Sequence, residues 1–425
     1  MSRRSPKKHS VFWGLLVGIV LVNLALHSGF GALGLALDPL RWVLLLSAAM
    51  VGAWNFLRGP VSPIGQVGGS ILVFIGLAGV TVPISQIMLL SILKWGALVV
   101  QVIVLVCFSV HLFSIVQWER LFAALFVLTS TVVALAFSIY LLGYNPFWGH
   151  PVWYHGRLAA ISNPNSIAVV AALNGIVALW MRERYRNGGG KRRVVVGLLV
   201  VSLIVLGLTG SRTSAGAFIA GVLVWGWATR NMKWFFLLFG TLLVVFVVSE
   251  GYFYDLTGQF RLSDPTNSRE GVWEASYASW LQRPWFGYGY GITGQQYTVT
   301  SLASAVGSVR DAAGYLGLLE SVGMVGACGL LVVYGTVLRH VWNVAQLWRQ
   351  GVRSRELWVA LTSGTVFATL IVHAGGEAWI IAPGGFPHVL MWLSVGGLVY
   401  GVLALEKTTR RREEPKHNQI KETRT

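Results

Sequence analysis

Four arginines stand where a chain this apolar has little ordinary use for them. Arg157 comes shortly before Ser162-Asn163-Pro164-Asn165-Ser166, Arg212 lies in the stretch TGSRTSAG, and Arg261 and Arg269 fall within RLSDPTNSREGVWEASYASWLQRPWFGYGYG at 261–291. A guanidinium is a planar fork of N–H donors that matches phosphate or carboxylate oxygens. Asn163 followed by Pro164 marks a helix start, and the amides of a helix N-terminus add positive partial charge. Together these groups describe an anion site at a membrane surface. A lipid-linked pyrophosphate suits that depth, because its charged head lies where membrane spans end while its polyprenyl tail stays in hydrocarbon. Aromatic residues near the arginines, among them Trp273, Tyr288 and Tyr315, suit stacking on sugar rings, with His150, His155, Trp148, Trp153 and Tyr154 adding more of the same character. The plainer reading is an interfacial helix whose arginines reach up to lipid headgroups.

The elements that must position these residues are membrane helices. The chain has 425 residues, is 55% hydrophobic and only 12% charged, about half the charge of an ordinary globular protein. Runs of roughly 20 apolar residues, the length that crosses a bilayer, recur throughout. They predict an all-α polytopic membrane protein with twelve spans near 11–30, 39–57, 65–83, 88–114, 121–143, 164–181, 194–210, 213–229, 234–250, 313–338, 357–373 and 385–405. The domain reading is a tail at 1–10, nine spans within 11–250, an external loop with an amphipathic helix at 251–312, three spans within 313–405 and a basic tail at 406–425. With the basic start MSRRSPKKHS inside, most of the 33 lysines and arginines fall on the cytoplasmic side. Only Arg41, Arg157, Arg212, Arg261, Arg269, Arg283 and Arg310 fall outside, and Lys94 lies within a span, where it either snorkels or touches lipid. The net charge of +17 is then explained by topology, and nucleic acid is not needed as a partner. Both termini are expected in the cytoplasm. Cys107 and Cys328 lie in apolar runs without metal-ligand spacing, so no disulfide, metal or other cofactor is expected.

Within the external loop, Asp264-Pro265 favours a turn and Asn267 with Glu270 resembles a helix cap. Trp273, Tyr277 and Trp280 then recur at helical spacing, with Arg269 four residues before Trp273. This predicts a short helix on the membrane surface, aromatic side down, stopped by Pro284. GYGYG lets the backbone turn sharply or approach a ligand closely.

The motifs resemble the O-antigen ligase and polymerase superfamily, multi-span enzymes that transfer glycans from undecaprenyl-pyrophosphate carriers at the outer face of the bacterial inner (cytoplasmic) membrane. The likeness rests on Arg157 with SNPNSIA, on SRTSAGAF at 211–218, on R-x7-R-x3-W followed by RPWFGYGYG, and on AGYLGLLESVGMVG at 313–326. It covers roughly residues 150–380, and the exopolysaccharide polymerase branch looks closest. It implies a metal-independent inverting glycosyltransferase. An acceptor hydroxyl attacks the anomeric carbon while arginines hold the departing pyrophosphate. By position, Arg212, Arg261 and Arg269 are the phosphate-facing set, with Arg157, Asn163 and Asn165 on the substrate side. The family's usual histidine, just before Gly-Tyr-Leu, is replaced here by Ala312, which can neither take nor donate a proton. That leaves another base, no general base, or no activity.

Candidate replacements are Asp311, which also suits a helix cap; Glu320, about two turns into the tenth span, where a carboxylate is a functional hypothesis by default; and His373, which also suits an interfacial anchor, as does His388. The resemblance raises flippase and chain-length regulator proteins as partners beside the lipid-linked glycan and the bilayer, and whether the chain works with them stays open. A ligase is the alternative within the same chemistry. Outside it stand a lipid-linked sugar transporter and a non-catalytic carrier-lipid-binding relative. Against transport, the two halves show no evident repeat.

Overall fold

The structure is a computed structural model, and it describes residues 6–27, 31–57, 65–145, 152–154, 157–257, 270–294 and 314–422. Thirteen helices run through them: α1 Pro6–His27, α2 Gly31–Phe56, α3 Gly65–Thr81, α4 Met88–Leu112, α5 Ile115–Leu142, α6 Pro164–Arg184, α7 Gly189–Leu208, α8 Arg212–Thr229, α9 Met232–Thr257, α10 Glu270–Gln282, α11 Gly314–Arg349, α12 Arg355–His373 and α13 Phe386–Glu422. A helix lies over each of the twelve apolar segments, and α10 is the short helix foreseen in the loop. Seven of the described helices (α3 to α6 and α11 to α13) are long and apolar enough to cross a bilayer. The protein is an all-α multi-pass membrane protein.

Local signals set several helix ends. Ser114 caps α5 in a capping box with Gln117, and Gly143 ends that helix in the left-handed conformation, satisfying end groups that would otherwise lack partners. Asn163 caps α6 with Pro164 in its first turn, and Ser354 caps α12. The helices α6 and α12 are the most enclosed spans. Around them pack α7 on α6, α8 and α13 on α12, and α3 on α11. Outer helices keep apolar faces exposed, as at Met50, Leu57 and Leu72, which is what contact with lipid requires.

Inside the bundle, Asn174 of α6 accepts from Thr129 (2.8 Å) and Ser130 (3.0 Å) of α5 and donates to Ser202 of α7 (2.9 Å). Such bonds tie helices where hydrophobicity cannot distinguish one neighbour from another. At one end of the bundle, Glu119 pairs with Arg184 at 2.5 Å and with Arg355, joining α5, α6 and α12. Arg157, Arg212 and His373 lie at the opposite ends of these helices.

The segment expected as a single tenth span departs from that expectation. Helix α11 breaks at Gly323, whose φ of 64° and ψ of −170° are far from helical. A straight helix rises about 1.5 Å per residue, which would separate Tyr315 from Tyr334 by roughly 28 Å. Their ring centroids are 6.4 Å apart. Residues 314–322 therefore fold back along residues 324–334 as a helical hairpin.

Candidate functional site

At the end of α6, an antiparallel pair, Trp153–Tyr154 with Arg157–Leu158, delivers Arg157 to two helix termini. Its Nε donates to the Thr209 carbonyl just past the end of α7 (2.7 Å), and its Nη2 donates to Oδ1 of Asn165. The Asn163 side chain accepts the Asn165 amide at 2.9 Å, the helix-start bond that the asparagine-proline pair implied. Beyond Thr209 the chain turns through Gly210 into α8, placing Arg212 on its first turn, half-buried. Thr213 next to it packs against Gly376, in the turn that follows α12.

That turn carries His373, which is buried and accepts the indole N–H of Trp379 on Nδ1 at 2.9 Å. With Nδ1 accepting, the proton of the neutral imidazole sits on Nε2, so this tautomer donates through its other nitrogen. Gly314 sits against the carbonyls of Ala374 and Gly375, and the Tyr315 hydroxyl donates to the Ile371 carbonyl at 2.5 Å. Arg157 thus contacts Asn165 and Thr209, Thr213 contacts Gly376, and Gly314 and Tyr315 contact residues 371–375; the chain links these groups, with Arg212 between Thr209 and Thr213 and His373 between Ile371 and Gly376. Three candidates, Arg261, Arg269 and Asp311, lie outside the described residues, as do Ala312, Arg310, Asn267, His150 and His155.

Glu320 and Tyr288 occupy a second centre, at the bend of the α11 hairpin. Glu320 is buried; its carboxylate accepts the Gly294 amide (2.5 Å) and bonds with the hydroxyls of Ser276 and Ser279 on α10. All these partners are donors, so the carboxylate fastens α10 to α11. The Tyr288 ring is buried beneath the Arg283 guanidinium, and its hydroxyl bonds with the Ser279 carbonyl and the Gln282 side chain. The serine face of α10 meets the protein, whereas Trp273 and Tyr277 are exposed, as are Trp285 and Phe286 just beyond. Aromatic rings on the side away from the protein suit the bilayer interface.

The segment PWFGYGYG reveals its purpose in its backbone. The carbonyls of Glu320 and Ser321, at the end of the first arm, accept from Tyr288 N (3.0 Å) and Gly289 N (2.9 Å). The amides of Met324 and Val325, at the start of the second, donate to the carbonyls of Pro284 (2.8 Å) and Trp285 (3.1 Å). One loop caps both broken helix ends, the condition for interrupting a helix at membrane depth. Gly287, at φ 64°, lies so close to the backbone of Glu320 and Ser321 that a Cβ would collide with it. Close backbone approach was foreseen for these glycines, but toward a ligand; among the described residues the approach is to the chain's own helix.

Sequence reasoning did not single out Ser91, Ser321 or Trp379. They are ordinary residues of apolar stretches until distant segments reach them, so no local pattern marks them. Lys94 did stand out, as a cation inside an apolar run. At the hairpin, Tyr290 is buried and its hydroxyl has no partner among the described residues; burial pushes that hydroxyl's pKa upward, so it stays un-ionised.

Residues 197–327 match the family model described as O-antigen ligase. The matched span contains Arg212, α10, the glycine loop and the first arm of α11. No curated protein matches the sequence.

Proposed function

From the match of residues 197–327 to the O-antigen ligase family model, we propose that this protein is a glycosyltransferase of the bacterial inner membrane, polymerising undecaprenyl-pyrophosphate-linked repeat units at the periplasmic face. The observation that carries the reading is the placement of Arg157, Arg212, Tyr315 and His373 at one end of the bundle, opposite the end at which Glu119 pairs with Arg184 and Arg355. In this reading both termini are cytoplasmic.

Each group has a part that its surroundings favour. Arg212 stands on the first turn of α8, where its charge and the helix amides act together on a phosphate, and the resemblance assigns Arg261 and Arg269 to the same phosphate-facing role. Arg157, already engaged by Asn165 and Thr209, holds the rim of the pocket in shape. Tyr315 offers its ring to a sugar, and Trp273 stays with the lipid. As the bond from the anomeric carbon to the pyrophosphate breaks, the arginines stabilise charge growing on the leaving oxygen. His373, whose Nδ1 already accepts from Trp379, presents Nε2 as a donor and suits a bond to substrate oxygen better than removal of the acceptor's proton. Asp311 then stands as the carboxylate for that proton, since Glu320 is committed to Gly294, Ser276 and Ser279.

A ligase that passes the glycan to a different acceptor is the second reading, favoured by the family model's description. Purified protein given a synthetic undecaprenyl-pyrophosphate repeat unit should yield elongated glycan, and Arg269→Ala should abolish it. Transfer only to an added non-lipid-linked acceptor would select the ligase. Lipid binding without product from either acceptor would replace both with a carrier-binding protein.

A further inference from the structure

We infer that Lys94 is a positioning residue, which holds the glycine loop closed over the hairpin and thereby sets the place of Tyr315. The role of Tyr315 in turnover rests on the function proposed above; the closing of the loop does not.

Lys94 lies six residues into α4, about 9 Å from its first residue, between lipid-facing Leu93 and the packed Trp95. An ammonium at such depth is costly unless bonded. Its Nζ donates to the Gly291 carbonyl at 2.6 Å, and among the described residues no carboxylate pairs with it. One turn earlier on the same helix, Ser91 donates to the Tyr290 carbonyl at 3.0 Å. Two adjacent carbonyls of the loop are therefore held from α4, the ammonium supplying the stronger, charge-assisted bond.

The other side of the loop grips α11. Gly291 N donates to the Ser321 hydroxyl at 2.6 Å, and that hydroxyl donates to the Gly289 carbonyl at 3.2 Å. The four capping bonds from residues 284, 285, 288 and 289 complete the hold on both arms. Gly291 is thus fixed on two sides, by Lys94 through its carbonyl and by Ser321 through its amide. The first arm is also held at Glu320 by α10 and at Tyr315 by the Ile371 carbonyl, whereas the bend at Gly323 between the arms is held by the loop. Releasing the carbonyl at Gly291 frees the clasp, and with it the arm that brings Tyr315 beside Gly375.

Hydrogen exchange and transfer kinetics on the full-length protein test this with Lys94→Gln and Lys94→Arg. Lys94→Gln should speed exchange in peptides spanning 284–292 and 320–326 while leaving α6 and α12 unchanged. It should lower kcat on the order of tenfold, the scale expected of a small misplacement, with KM little changed. Lys94→Arg, which keeps the cation, should restore both. Unchanged exchange in Lys94→Gln would overturn the clasp, and faster exchange with unaltered kcat would overturn the positioning role. Should the wild-type protein transfer no glycan, the proposed function falls, and exchange alone decides whether Lys94 closes the loop.

Discussion

Tyr315 and Tyr334 are in edge-to-face contact at 6.4 Å, although a straight α11 would hold them several turns apart. The bend between them depends on Gly323, whose backbone conformation disfavours any side chain and which lies against the backbone of Trp285. Gly323→Ala should therefore cost several kcal/mol and lower the thermal midpoint in detergent sharply. A midpoint within a degree of wild type would mean that the hairpin does not form.

Arg212 sits at a helix N-terminus, where a cation opposes the macrodipole. The helix dipole gives no reason for a cation to be there. Arg212→Ala should leave the thermal midpoint equal or higher while reducing glycan transfer at least tenfold, measured with the same lipid-linked substrate. A loss of stability matching the loss of activity would assign Arg212 to the scaffold.

For Arg157 the expectation runs the other way. It ties the end of α7 to the start of α6 through Thr209 and Asn165, and a lysine cannot make both bonds with one planar fork. Arg157→Lys should destabilise the protein by about 1–3 kcal/mol, seen as a lower midpoint, with activity falling in parallel.

Glu320→Gln separates two roles of one carboxylate. Three groups converge on Glu320 from Gly294, Ser276 and Ser279, so replacing a charged acceptor oxygen by an NH2 group loses the charge-assisted bonds and forces a serine hydroxyl to turn round and accept. A drop of about 1–3 kcal/mol in stability is expected, with residual transfer in the protein that stays folded. Full stability with no transfer would instead make Glu320 the base.

Tyr290→Phe removes a buried hydroxyl that has no partner among the described residues. Deleting such a group relieves a desolvation penalty, so the midpoint should hold or rise, and a fall of more than a few degrees would show that the hydroxyl is bonded.

Much of this protein could be read along the chain because membrane helices are local objects. Apolar length, the Asn163-Pro164 start and the spacing of Trp273, Tyr277 and Trp280 depend on neighbours in sequence, and helices stand over all of these segments. Hydropathy could not reveal the bend at Gly323, because a hairpin of two apolar arms has the same composition as one long span. Nor could it assign Tyr288 and Glu320. Their residue types suit a site as well as a scaffold, and only the chain's path showed that they serve the bend.

By itself, then, the sequence determined the membrane class, the places of the helices and the superfamily motifs, since bilayer thickness and helical periodicity act on consecutive residues. The tertiary structure decided which polar groups meet. It spent the glycine loop on capping two helix ends and drew Arg157, Arg212, Tyr315 and His373 to one end of the bundle. The physical reason is that backbone groups at membrane depth must find partners inside the protein, and those partners can lie far along the chain, 197 residues away for Lys94 and Gly291.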